Sequence, residues 1–250
     1  MKRTLLMTAR HASELGDPPR TLAEATYRKI REDIVWSNLT PGAPLRSDEL
    51  RKIYGVGISP LREALSRLVA ERLVTAVGQR GFRVAPLTPE DVLDIMETRL
   101  VIEGAALSRS IAHGDLQWET GLVASFHTLS RIAVPHQAGL DAEIWVKHHR
   151  AFHMSLIAAC GSRWQLELAL LLFDQAERHR ASAMRIPRAR LSRDANAEHK
   201  EILDATLARD APMAIAALER HYRATAEQVV AAIRGCSSNF NEKITAATHG

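Results

Sequence analysis

Four histidines stand out for their spacing. His149 and His153 are four residues apart, and His199 and His221 flank Asp210, each 11 residues from it. Residues four apart on a helix project from one face, a spacing at which two imidazoles can chelate one metal ion. If the segments either side of Asp210 form antiparallel helices, equal distances bring His199 and His221 to one level, ~16 Å from the turn at ~1.5 Å per residue. The four side chains could then meet at one site. Nine of the 11 histidines lie between His113 and His221, so a set of unrelated core and surface histidines stays open as the other reading. An ion held by four imidazoles could activate water, which is metalloenzyme chemistry. Against that, the chain has no HExxH and no GxSxG, and no separate carboxylate offers itself as a general base.

A second kind of chemistry is carried by Asp48 to Leu68, DELRKIYGVGISPLREALSRL. Leu50, Ile53 and Tyr54 give a first short helix its apolar stripe, with Asp48 and Glu49 in the first turn, where negative charge suits the helix dipole. Gly55 and Gly57 permit a sharp corner. Ser59 reads as the N-cap of a second helix, with Pro60 at its first position. Leu61, Ala64, Leu65, Leu68 and Val69 then recur at helical spacing and turn one face inward, leaving Arg62 and Ser66 outward and Arg67 at the edge. That is a helix-turn-helix whose outer face suits a major groove, with its N-terminal residues nearest the bases.

The elements around these two sets predict a mainly α chain. Residues 1–20 read as a flexible tail. Thr21 and Glu24 form a capping box for a helix that buries Tyr27, Ile30 and Ile34. Thr40-Pro41-Gly42 marks a turn. After the helix-turn-helix, Leu73–Val77 and Phe82–Ala85 form a β-hairpin whose tip, Gly78-Gln79-Arg80-Gly81, offers Gln79 and Arg80 as DNA contacts. Three helices plus this basic wing make residues 21–86 a DNA-binding module. Pro86-Leu87-Thr88-Pro89 is the linker. Beyond it, helical patterns at 89–112, 115–133, 139–160, 163–184, 195–208 and 211–234 predict an all-α antiparallel bundle of about six helices over 87–235, with a tail at 236–250. The arginine-rich region between Arg178 and Arg193 reads mainly as solvated surface, with contact to DNA or to the first domain as the alternative.

Charge divides along the same boundary. Met1 to Pro86 holds 15 Lys and Arg against 9 Asp and Glu, a net of +6; the remainder holds 18 against 20, a net of −2. A basic front and a near-neutral back place polyanion binding at the N-terminus. Aromatics are only 5% of residues, which argues against a base-stacking surface for single strands. Cys160 and Cys236 stand far apart, without metal-ligand spacing, and fit thiols of a reducing compartment. The apolar run near the first residue is short for a signal peptide, and no uninterrupted apolar segment approaches the ~18 residues of a membrane span. These features predict a cytoplasmic protein with no membrane partner.

Together, PGAPL, DEL, YGV, SPLREAL, RL and RGFRV resemble the winged helix-turn-helix of the GntR family of bacterial transcription regulators. TRLVIEGAAL, FHMSLIAACGS, EHKEILDAT and RDAPMA with His221 downstream resemble the FCD ligand-binding domain of its FadR-like subfamily. The resemblance implies a homodimer on an inverted-repeat operator in double-stranded DNA, acting as a repressor, with a small-molecule effector altering DNA affinity. It also implies a divalent metal held by an acidic residue and three histidines, which match His153, His199 and His221. The acid position is occupied by His149, with His148 as a competing neighbour. Histidine for carboxylate makes the site more positive and richer in nitrogen, favouring Zn, Ni or Co over Mn. Arg99 matches a common arginine of the family, giving two readings: partner of a carboxylate effector, or ion pair with Glu103. Ile58 stands where relatives usually have the base-reading arginine, and could contact a thymine methyl or simply pack. Arg62 matches the retained arginine, and Arg80 the wing residue that reaches the minor groove. The resemblance therefore implies a regulator, not an enzyme, sensing an organic acid or related metabolite; the alternative is a metal-free regulator with an apolar or acyl-type effector.

Overall fold

The computed structural model of the chain describes residues 19–78, 81–135, 140–184 and 193–247, with side chains up to Gly235 apart from Leu140. The fold is mainly helical, with nine helices and one small sheet among the described residues. Its contacts divide the chain between Pro86 and Leu87.

In the N-terminal unit, α1 spans Leu22–Val35, α2 Ser47–Tyr54 and α3 Ile58–Ala70. Thr21 caps α1 by accepting from the Glu24 N–H, but Glu24 reaches back to the Arg20 N–H and not to Thr21 itself. α1 packs across α3, and Ile30, Ile34, Leu50, Val56, Leu61, Ala64, Leu65 and Leu68 meet in one core. The wing pairs β2 (Val74–Ala76) with β3 (Phe82–Val84), and Val77 N–H donates to Gly81 C=O at the base of the tip. Pro44–Leu45, just beyond the turn at Thr40-Pro41-Gly42, forms a further strand, β1, against β3. Two residues are too short for an alternation signal, so only the pairing reveals that strand.

Three local expectations are corrected. α3 begins at Ile58 with Gly57 as N-cap and no side-chain cap bond, so Ser59 does not cap it. Pro60 is tolerated in the first turn because its missing N–H would be one of the unbonded four anyway. Ile53 lies outside the apolar stripe: it is 66% exposed, and Val56 just beyond the corner is buried in its place. Of the two corner glycines, Gly55 alone uses the freedom of glycine, at φ 65°; Gly57 is in ordinary extended backbone.

The second unit comprises α4 (Pro89–His113), α5 (Leu116–Ser130), α6 (Leu140–Leu156), α7 (Arg163–Met184), α8 (Ala195–Leu207) and α9 (Ala211–Ala247). Thr88, Asp115 and Asp194 cap α4, α5 and α8, each accepting from the N–H three residues on. α9 packs against α4, α7 and α8, α4 against α7, and α6 against α5 and α7. The α9 helix continues through Gly235 to Ala247, across residues whose sequence predicts a C-terminal tail from 236. A helical glycine costs only about 1 kcal/mol relative to alanine and does not by itself end a helix. The arginine-rich region is also not all solvated. Arg178 and Arg180 are buried in α7, at 2% and 7% exposure, and Arg193 is half-buried.

Candidate metal centre and nucleic-acid interface

His149 and His153 sit one turn apart on α6, His199 on α8 and His221 on α9. All four are buried, and a ligand atom from each lies within 4.8 Å of all the others. The equal spacing about Asp210 does bring His199 and His221 level, with ring centroids 4.5 Å apart. His149 Nε2 is 3.0 Å from His153 Nε2, and His148 is not in the cluster.

The donor set fits a divalent cation. His199 is fully buried, yet neither of its ring nitrogens has a hydrogen-bond partner among the described residues, and His149 Nδ1 also lacks one. Unpartnered buried polar atoms are costly, and an ion would take up the nitrogens facing the cluster. Tetrahedral Zn with ~2.0–2.1 Å bonds needs nitrogens roughly 3.3 Å apart, which small ring rotations would supply. Burial, then the neighbouring imidazoles, holds His149, His153 and His199 well below 6.5. The rings are therefore neutral near pH 7, as metal ligands must be.

Carboxylates stand behind the ring. Glu198 Oε2 is 2.8 Å from His221 Nδ1, placed to accept its proton and leave Nε2 toward the cluster. Arg193 pairs with Glu198 and also donates to Thr225 Oγ1 and the His221 carbonyl. Burial raises Glu198, but hydrogen bonds from Arg193 and His221 outweigh it and hold the carboxyl at about 2. On the far side, Tyr222 Oη lies 3.2 Å from His153 Nδ1, accepts from Arg99 and donates to Glu103. Glu177 Oε2 is 3.9 Å from His149 Nδ1 and is bound by Arg180, whose guanidinium sits over the Trp145 ring that stacks on His149. Of these supports, sequence spacing points to the Arg99–Glu103 and Arg180–Glu177 pairs, four and three residues apart. Which histidine each pair stands behind is decided by the packing of different helices.

Arg99 forms the ion pair with Glu103, Nε to Oε1 2.7 Å, and stacks over Tyr222. It also lines a cavity of about 50 Å³ beside the cluster, together with His149, His221, Phe173, Arg180 and an apolar wall of Ile95, Met96 and Val229. A further histidine of this wall, His179, is pushed down to about 4, chiefly by burial. Between pH 4 and 6.5 the unfolded chain binds the proton that folded His179 refuses, so its contribution to stability is complete above 6.5 and lost as pH falls toward 4. The loss amounts to about 3 kcal/mol at about 1.4 kcal/mol per pH unit. Urea unfolding at pH 7 and pH 4.5 should show that fall, and His179→Phe should reduce it.

On α3, Ile58, Ser59, Arg62, Ser66 and Arg67 are all exposed on the face opposite the buried leucines. Ile58 is 46% exposed, so it is not packed away. Arg67 is less free than its exposure suggests, because its guanidinium lies 4.0 Å from the Tyr27 ring centroid. Gln79 and Arg80 fall outside the described residues.

Residues 22–84 match the model of the bacterial regulatory proteins, gntR family, and residues 94–224 that of the FCD domain. The HTH-type transcriptional repressor GlaR of Escherichia coli (strain K12) is 37% identical over 197 residues, 78% of this chain and 90% of that protein. An HTH-type transcriptional regulator of Paraburkholderia xenovorans (strain LB400), BphR, is 38% identical over 206 residues, 81% of this chain and 82% of its own. Among solved structures, E. coli McbR/YncC shares the fold with a TM-score of 0.67 at 18% identity, over 86% of this chain and 98% of that one. The family and these relatives are transcriptional regulators and not enzymes, which removes the metalloenzyme reading of the histidines. A helix-turn-helix with a wing, an FCD domain and relatives alike over most of their length make one conclusion: the chain belongs to the GntR family and is a DNA-binding transcriptional regulator.

Proposed function

We propose that the protein is a repressor that binds an inverted-repeat operator as a homodimer in the cytoplasm, and that a small organic acid sensed in a metal-containing FCD domain changes its DNA affinity. The observation that carries this reading is the convergence of four buried imidazoles, with unpartnered nitrogens, beside an arginine-lined cavity. His149, His153, His199 and His221 would hold the ion, and a bound Zn, Ni or Co supplies a Lewis-acid anchor for an oxygen ligand. Arg99 and Arg180, each paired with a carboxylate, put guanidinium donors on the cavity side, and the charge of a bound divalent ion suits an anion. A cavity of about 50 Å³ leaves no room for a long acyl chain.

Regulation would work by linkage. An effector that prefers one arrangement of the FCD domains shifts the population toward it, and the spacing of the paired α3 helices changes DNA affinity. Repressors among the relatives support the sign of the effect. On the DNA side, Arg62, Ser59 and Ser66 supply contacts, Ile58 and the wing residues Gln79 and Arg80 add local preference, and the basic first unit supplies the salt-dependent term. Replacing Arg62 with alanine is expected to weaken operator binding by about 1–3 kcal/mol without altering the dimer. A mobility-shift assay that finds unchanged affinity overturns the assignment of α3 as the reading helix.

A further inference from the structure

The cavity beside the histidine cluster has a second polar end. Its lining follows α4 from Arg99 back to Val92, seven residues or about 10 Å at 1.5 Å per residue, and follows α9 from His221 to Val229. Arg99, Arg180 with its partner Glu177, and the histidine cluster mark one end, and Ile95, Met96 and Val229 supply an apolar middle. His179 of α7 also lines the cavity, with 3% of its surface exposed. The Arg99 guanidinium lies 5.4 Å from the Phe173 ring of α7, and His179 is six residues, about 9 Å at 1.5 Å per residue, further along that helix, so His179 belongs to the end away from Arg99.

His179 has one ring nitrogen bonded and one unbonded. Its Nδ1 is 2.7 Å from the Gln175 carbonyl oxygen, which can only accept, so Nδ1 carries the proton. Nε2 is then a bare lone pair, buried and without a partner among the described residues. A leucine or phenylalanine would fill the same space without that cost. An acceptor kept unpaired on a ring that lines a cavity is suited to a ligand that brings a donor.

We infer that the cavity takes a short carboxylic acid bearing a hydroxyl at its far end: the carboxylate toward Arg99 and the histidine cluster, the methylenes along Ile95 and Met96, and the hydroxyl donating to His179 Nε2. The inference rests on the acid-sensing reading above and names the class of acid. His179 is a specificity-determining residue in this arrangement, since it selects a donor over a bare methyl or a second carboxylate. Apolar packing alone separates such analogues weakly, whereas a buried acceptor left unpaired penalises the one that lacks the donor.

The test is calorimetric titration of the metal-loaded full chain with three short-chain series of matched length: unsubstituted acids, ω-hydroxy acids and α,ω-dicarboxylic acids. One ω-hydroxy acid should bind about tenfold or more tighter than its unsubstituted and dicarboxylic counterparts. His179→Phe should abolish that ratio, and His179→Gln, which keeps an acceptor, should restore part of it. Circular dichroism and metal content identify variants that remain folded and loaded. Equal binding of hydroxy and unsubstituted acids, or preference for the dicarboxylic series, overturns the distal subsite and leaves acid sensing standing. Binding of none of the three series overturns both.

Discussion

Removing divalent metal from the full chain is expected to lower its melting temperature by roughly 8–16 °C, since a ligand at about 1,000 times its Kd stabilises by about 4 kcal/mol and each kcal/mol moves a unit of this size by about 2–4 °C. The unpartnered nitrogens of His199 and His149 Nδ1 mark a fold that buries these rings without satisfying them from protein groups. Readdition of Zn to the chelated protein should restore the transition. His153→Ala and His199→Ala should abolish the metal-dependent shift and reduce bound metal below one ion per chain. Metal analysis of untagged protein that finds those variants still loaded would show the ligand set to be wrong. His149→Asp is the informative reciprocal change. With a carboxylate returned to that position, competition between Zn and Mn should move toward Mn, because oxygen ligands suit the harder ion.

The second large effect is expected at the buried pair under the cluster. Arg99 and Glu103 are 8% and 2% exposed, and both bond Tyr222. Burial alone would lower the Arg99 guanidinium, but the charge of Glu103 and the hydroxyl of Tyr222 outweigh it and the net shift is upward. Removing one member leaves the other charged and desolvated, which costs about 3–5 kcal/mol. Arg99→Met should therefore be strongly destabilised in urea unfolding, while Arg99→Met with Glu103→Leu should recover most of the loss, because two apolar side chains need no partner. A single variant that loses less than about 1 kcal/mol would show that water reaches Glu103 and that the pair is not closed.

The residues behind these predictions differ in how legible they are in the sequence. The periodicity of Leu61, Ala64, Leu65 and Leu68 fixes which side of α3 is outward, and the four-residue and 11-residue spacings identify the metal candidates before any coordinate is known. The leucine pattern and the four-residue spacing are periodic along one helix, and the 11-residue spacing is a symmetry about one turn, so all of them survive in a linear chain. The capping of α3 by Gly57, the exposure of Ile53 and the two-residue strand β1 depend on a single turn and a partner strand, and none leaves a periodic trace.

The same division runs through the centre. From the sequence alone, four histidines could be one site or several unrelated rings, and Arg99 could face an effector or Glu103. The bundle decides both. It brings one nitrogen of each ring from α6, α8 and α9 to within 4.8 Å of the others, and it closes Arg99 onto Glu103 and Tyr222 while leaving it on the cavity wall. His179 is the clearest case. Sequence shows one more histidine on a helix; only packing decides that its Nδ1 bonds the Gln175 carbonyl, that its Nε2 is left unpaired and that the ring lines a cavity. What the sequence by itself determined is the family, the helix periodicity and the residue types available for metal and DNA. What only the tertiary structure decided is which polar atoms are satisfied, because burial and hydrogen bonding between distant helices are properties of the packed chain and not of any segment of it.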